Sequence, residues 1–246
     1  MVSSPLAIAV GGLVFARVLP VALLVPPVGD RRVPIHLRVA VALALAVPFC
    51  CSIDISDAVV VDLPTYLLWL ARNLSVGLIL GGGVATILWA SQMAGSYLQI
   101  AAGWLTPSSD DAPIGNVMYL LVAVLFVLID GHHGVLMAFS ESLEIIPLGP
   151  DAIGTAAQGA LIGLPARMLL ASLMIAAPAL LAVLLALAMV AVAERLSTEL
   201  GLAGISRSVT PLVALATLIA ALPLTASVAL WQMHMTVDYV LALLRQ

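Results

Sequence analysis

Between Tyr66 and Ala90 the chain runs apolar for longer than the ~20 residues needed to cross a hydrocarbon core, and then turns polar. Ser91-Gln92-Met93-Ala94-Gly95 follows, then Gly103-Trp104-Leu105-Thr106-Pro107-Ser108-Ser109-Asp110-Asp111-Ala112-Pro113, before a second apolar run opens at Val117. A stretch of Gly, Ser, Asp and Pro has backbone groups that lipid cannot satisfy. At membrane depth it is tolerated only when buried in protein or lining a watery cavity. The pattern therefore points to a conduit or a plug.

The remaining chain fits a membrane setting. It has 246 residues, 63% of them hydrophobic and 9% charged, where a soluble domain has about 25% charged residues. Its apolar runs are continuous rather than alternating, which argues for helices and against a barrel. The expected fold is an all-α membrane protein forming a single integral membrane domain over 1–246. About six apolar, partly kinked or broken helices are expected, with a polar plug-like loop between the third and fourth. The six spans are Leu6–Pro26, Ile35–Cys51, Tyr66–Ala90, Val117–Phe139, Met168–Ala193 and Val209–Trp231. The tail from Gln232 to Gln246 reads as a short amphipathic helix. Met1-Val2-Ser3-Ser4-Pro5 lacks a basic leader, so the first helix is expected to stay in place. Arg31, Arg32, Arg38, Arg195 and Arg207 share one side if both termini face outward, the orientation favoured when basic loops stay inside.

Few residues can carry chemistry. Arg17 sits inside the first span, where a charge costs ~2.5–3.5 kcal/mol on insertion scales and calls for a partner or water. It reads as a polar contact between helices or subunits, with snorkelling as the bland alternative. Arg72 lies near the aromatic anchors Tyr66 and Trp69, where snorkelling is the better reading. Asp130, His132 and His133 suggest a metal or proton relay. Adjacent helical residues point to different faces, however, so a structural polar break is preferred. Glu141 and Glu144 read as a solvated helix end. Gly77 and Gly81 form a GxxxG that lets a second helix approach closely. Cys50 and Cys51 are neighbours and read as small apolar residues. No metal-ligand set, nucleophile elbow or nucleotide-binding loop occurs. The chain is therefore expected to be no enzyme, to need no cofactor or metal and to bind no nucleic acid.

Several segments together resemble the FliR/SctT family, export-gate proteins of bacterial flagella and type III secretion systems. They are Phe15-Ala16-Arg17-Val18-Leu19-Pro20, Pro26-Pro27-Val28-Gly29 and Val33-Pro34-Ile35-His36-Leu37-Arg38. Gly77 with Gly81, Gln92-Met93-Ala94-Gly95, Asp130-Gly131-His132, Ser140, and Pro147 with Gly149 continue the pattern, and Leu202 to Arg207 with Pro211 close it. The chain departs from the pattern at Asn73, where the family usually has Glu. It also departs at Asp110-Asp111-Ala112-Pro113, and at Arg207-Ser208-Val209-Thr210-Pro211, which is one residue longer than the family's spacing.

The resemblance implies an export-gate subunit in the bacterial inner membrane, within a flagellar basal body or injectisome base. It implies FliP/SctR-like and FliQ/SctS-like membrane partners, an FlhB/SctU-like switch protein, and unfolded secreted proteins as cargo. It places the closed-state plug at 103–116, with Gln92, Gly95, Gly103, Pro107, Asp110, Asp111, Pro113 and Asn116 as plug or gating residues. The candidate intramembrane polar or subunit contacts are Arg17, Arg72, Asp130, His132 and Arg207. The alternative is a small-solute or proton-coupled transporter with a polar site near Asp130, His132 and Arg17.

Overall fold

A computed structural model describes residues 4–26, 28–29, 33–52, 62–102, 113–148, 155–197 and 206–244. For 4–7, 155–161, 206–211, 236–244 and a few other helix positions it gives the helical backbone alone. Every described element is a helix: α1 Ser4–Leu24, α2 Ile35–Ser52, α3 Leu63–Ala101, α4 Pro113–Leu128, α5 Gly131–Ile145, α6 Thr155–Ser197 and α7 Ser206–Leu244. The all-α membrane architecture expected from the sequence is what the chain adopts.

The boundaries correct several expectations. The stretch Ser91 to Gly95 is not the start of a loop, because α3 runs through it to Ala101. Ser91 Oγ donates to the Leu88 carbonyl at 2.7 Å and, just beyond the stretch, Ser96 Oγ donates to the Gln92 carbonyl at 3.0 Å, both within the helix. Back-bonding of this kind lets serine stay inside a helix. The fourth expected span is broken. α4 and α5 bend by 69° at Ile129 and Asp130, and Asp130 takes the left-handed conformation with φ 55°. A short polar side chain next to glycine tolerates that region better than the flanking Val and Leu. The tail is no separate helix, since α7 continues to Leu244. Among the described residues three helices, Leu63–Ala101, Ile162–Ala193 and Leu212–Gln232, are long and apolar enough to cross a membrane, and the bent pair makes four if it is one span. The stretches Ile8–Leu24 and Ile35–Cys51 are shorter.

The chain forms two compact units. The first comprises Met1–Thr86, Phe126–Pro165 and His234–Gln246. Here α1 packs on α2, and Phe139 of α5 meets Phe49 of α2 with ring centroids 4.6 Å apart. The Tyr66 hydroxyl of α3 donates to the Ala9 carbonyl of α1 at 3.1 Å. The second unit comprises Ile87–Leu125 and Ala166–Met233. Leu98 of α3, Met118 of α4, Ala179 of α6 and Leu218 of α7 form one buried cluster in it. A second cluster joins Ala102, Val183 and Ala214.

Candidate functional site

The polar residues expected to matter fall into two groups, one in each unit. In the first unit Arg17 is fully buried. Its Nε donates to Asn73 Oδ1 at 2.9 Å, one terminal nitrogen to the Ser142 carbonyl at 2.8 Å, and the other to the Ile146 carbonyl at 2.9 Å. Ser142 and Ile146 stand at the C-terminal end of α5, where backbone carbonyls run out of helical partners and carry partial negative charge. A planar cation with a fork of donors suits that end. The Ile146 N–H itself closes on the Ser142 carbonyl at 3.0 Å.

Arg17 can enter this position because α1 and α3 cross closely beside it. A Cβ on Gly77 would overlap the Arg17 carbonyl oxygen, and one on Gly81 would lie 2.9 Å from the Pro20 carbonyl oxygen and 3.0 Å from Val21 Cα. Two glycines one helical turn apart thus bring the backbones together. Position 73, where the resemblance implies Glu, holds an amide that accepts from Arg17 and donates to the Trp69 carbonyl at 2.8 Å. Arg72, read from sequence as snorkelling, is buried at 7% exposure.

Asp130, His132 and His133 are exposed. The Asp130 side chain makes no capping bond, while its carbonyl accepts from the His133 N–H at 2.9 Å and the Gly134 N–H at 3.3 Å. Since Arg17 is enclosed and Asp130 and His132 are not, the three do not make one sheltered polar site. The transporter alternative needs such a site.

In the second unit Gln92, Gly95 and Asn116 come together. Gln92 Nε2 donates to Asn116 Oδ1 at 3.0 Å. A Cβ on Gly95 would lie 2.7 Å from both Gly115 Cα and the Ile114 carbonyl oxygen. Sequence reading missed Gln99, which is 2% exposed. Its Oε1 accepts from the Ile114 N–H at 2.8 Å and the Gly115 N–H at 3.4 Å, at the start of α4. The signal was present, because Gln92, Gly95 and Gln99 fall at i, i+3 and i+7 on one helix face. Pro113 opens α4, a position where the missing proline N–H costs nothing. Gly103, Pro107, Asp110 and Asp111 lie outside the described residues, and Arg207 is described by its helical backbone alone.

Residues 8–235 match the family of bacterial export proteins, family 1. The chain is similar to the flagellar biosynthetic protein FliR of Escherichia coli (strain K12), with 23% identity over 218 residues. That alignment covers 85% of this chain and 83% of that protein. Its similarity to the flagellar biosynthetic protein FliR of Bacillus subtilis (strain 168) is 28% over 141 residues, covering 54% of each.

Proposed function

The chain belongs to the bacterial export proteins, family 1, and from that premise we propose that it is a non-enzymatic subunit of a type III protein export gate, flagellar or injectisome. The observation that carries the reading is the family match over nearly the whole length. Helices long and apolar enough to cross a membrane support it. In this reading residues 1–246 act as one multi-pass domain of the bacterial inner membrane. The domain assembles with FliP/SctR-like and FliQ/SctS-like subunits and an FlhB/SctU-like switch protein around the entrance pore for unfolded cargo.

Residues 103–116 contribute to the closed-state plug, and Arg207 is a polar contact near the start of α7. The chain's own residues supply packing and polar satisfaction, and the work of export is done elsewhere. Deleting the gene in its own bacterium abolishes export of type III substrates, and the full-length gene restores it. Export unchanged by the deletion overturns the gate reading. Shortening 103–112 in the assembled complex makes the membrane leak ions. A tight membrane with normal export removes the plug assignment and leaves the gate reading standing.

A further inference from the structure

We propose that Gln99 is a positioning residue that clamps the junction of α3 and α4, and that this junction stays closed while protein is exported. Three contacts form a zip. Gln92 meets Asn116, Gly95 lies against Gly115 and Ile114, and Gln99 takes the Ile114 and Gly115 N–H groups. As α3 advances toward its C-terminus, its partners step back toward the start of α4, so the two helices are joined antiparallel at their connected ends.

Each contact holds the next in place. The glycine at 95 lets the α4 backbone approach, the approach brings the first α4 amides to a side chain on α3, and that side chain is enclosed. Behind the zip, Leu98 and Met118 sit in the buried cluster with Ala179 and Leu218. Opening the junction would strand two backbone N–H groups and a buried amide at once, and an enclosed polar group left without its partner costs more than the bond itself gains. A joint that must open repeatedly would not be built this way. The Gln99 oxygen acts as a helix N-cap supplied from a neighbouring helix, a role that a carboxylate can fill and an apolar side chain of the same length cannot.

The proposal rests on the export reading, because export is its readout. The test uses the full-length protein in its own cells, with Cys50 and Cys51 replaced by Ser and with Gln92→Cys and Asn116→Cys introduced. A short bis-methanethiosulfonate links the two thiols and a reductant releases them. Expected are a high yield of linked protein and equal export before and after release. Failure to link, or export that stops when linked and returns on reduction, overturns the closed junction. Export that is unchanged when the gene is deleted would count instead against the export reading, which is thereby tested separately.

Gln99 itself is tested in the same background. Gln99→Met lowers the ratio of linked to unlinked protein about fivefold, as expected for the loss of one helix cap, while Gln99→Glu retains it. Equal linking in the Met and Glu variants overturns the assignment of Gln99. Should Gln99→Met fail to accumulate, linking in Gln99→Glu and in the parent still decides whether the junction is closed.

Discussion

Among the described residues two helix ends are completed by side chains from other helices, and they differ in sign. The C-terminal carbonyls of α5 receive the Arg17 guanidinium, across 125 and 129 residues of sequence. The first amides of α4 receive the Gln99 oxygen, across 15 and 16 residues. A helix presents spare acceptors at one end and spare donors at the other. In apolar surroundings those groups must be satisfied inside the protein. The carbonyl end takes a cation, whose fork also reaches Asn73 and so ties α5 to both α1 and α3. The amide end takes a neutral oxygen that bridges two successive N–H groups and ties only two helices. The comparison teaches that the charged cap holds more of the fold together, while the neutral cap fixes one local corner.

The largest effect should therefore come from the charged cap. Arg17→Leu leaves the Ile146 carbonyl and the Asn73 side-chain oxygen without their donor, at ~1–3 kcal/mol for each buried group left unsatisfied. We expect the variant's melting temperature in mild detergent to fall well below that of the parent, and its level in membranes to drop severalfold. Arg17→Lys should recover part of the loss, since an ammonium reaches carbonyls but lacks the planar fork. Asn73→Ala removes the bonds to Arg17 Nε and to the Trp69 carbonyl but keeps both Arg17 bonds to α5, so it should cost less than Arg17→Leu. If Arg17→Leu accumulates and melts like the parent, the contrast between the caps fails.

The two glycine contacts sharpen the same comparison. An added methyl at Gly77 meets the Arg17 backbone in the middle of α1, which cannot yield without separating two helices. An added methyl at Gly95 meets Ile114 and Gly115 in the first turn of α4, where a helix end can shift. Forced overpacking costs ~1–3 kcal/mol, so Gly77→Ala belongs at the upper end and Gly95→Ala at the lower. Thermal unfolding of the two variants in the same detergent checks the order. The reverse order would make the α3–α4 corner the stiffer of the two.

Much of this was legible in the sequence. Composition and uninterrupted apolar runs pointed to a helical membrane protein, and the ionisable Arg17 inside an apolar run drew attention to a side chain that is buried and bonds Asn73 and two α5 carbonyls. Gly77 and Gly81 marked a close crossing. What sequence could not supply was the partner of each group. Ser142 and Ile146 serve Arg17 through backbone carbonyls, which carry no side-chain signature. Ser91 looked like the start of a loop because its return bond to the helix is invisible in composition. Gln99 was passed over because a lone amide near a helix end is common, and its importance comes from where α4 begins.

The smallest effect should come from His132 and His133, and it tests whether exposure was read correctly. Both side chains are exposed in the first turn of α5, where the helix end already carries partial positive charge and gains nothing from a cation. The described bonds to Asp130 at this turn are made by the backbone N–H groups of His133 and Gly134, which the alanine substitutions keep. Replacing both by Ala should shift stability by no more than ~0.5 kcal/mol, the usual range for exposed sites without special contacts, and should leave export intact. Melting in detergent and export from cells must be measured together, because they separate two failures. A lower melting temperature would mean that the pair packs within the chain. Unchanged melting with lost export would mean that the pair meets something outside the chain, on a helix whose far end Arg17 holds in place.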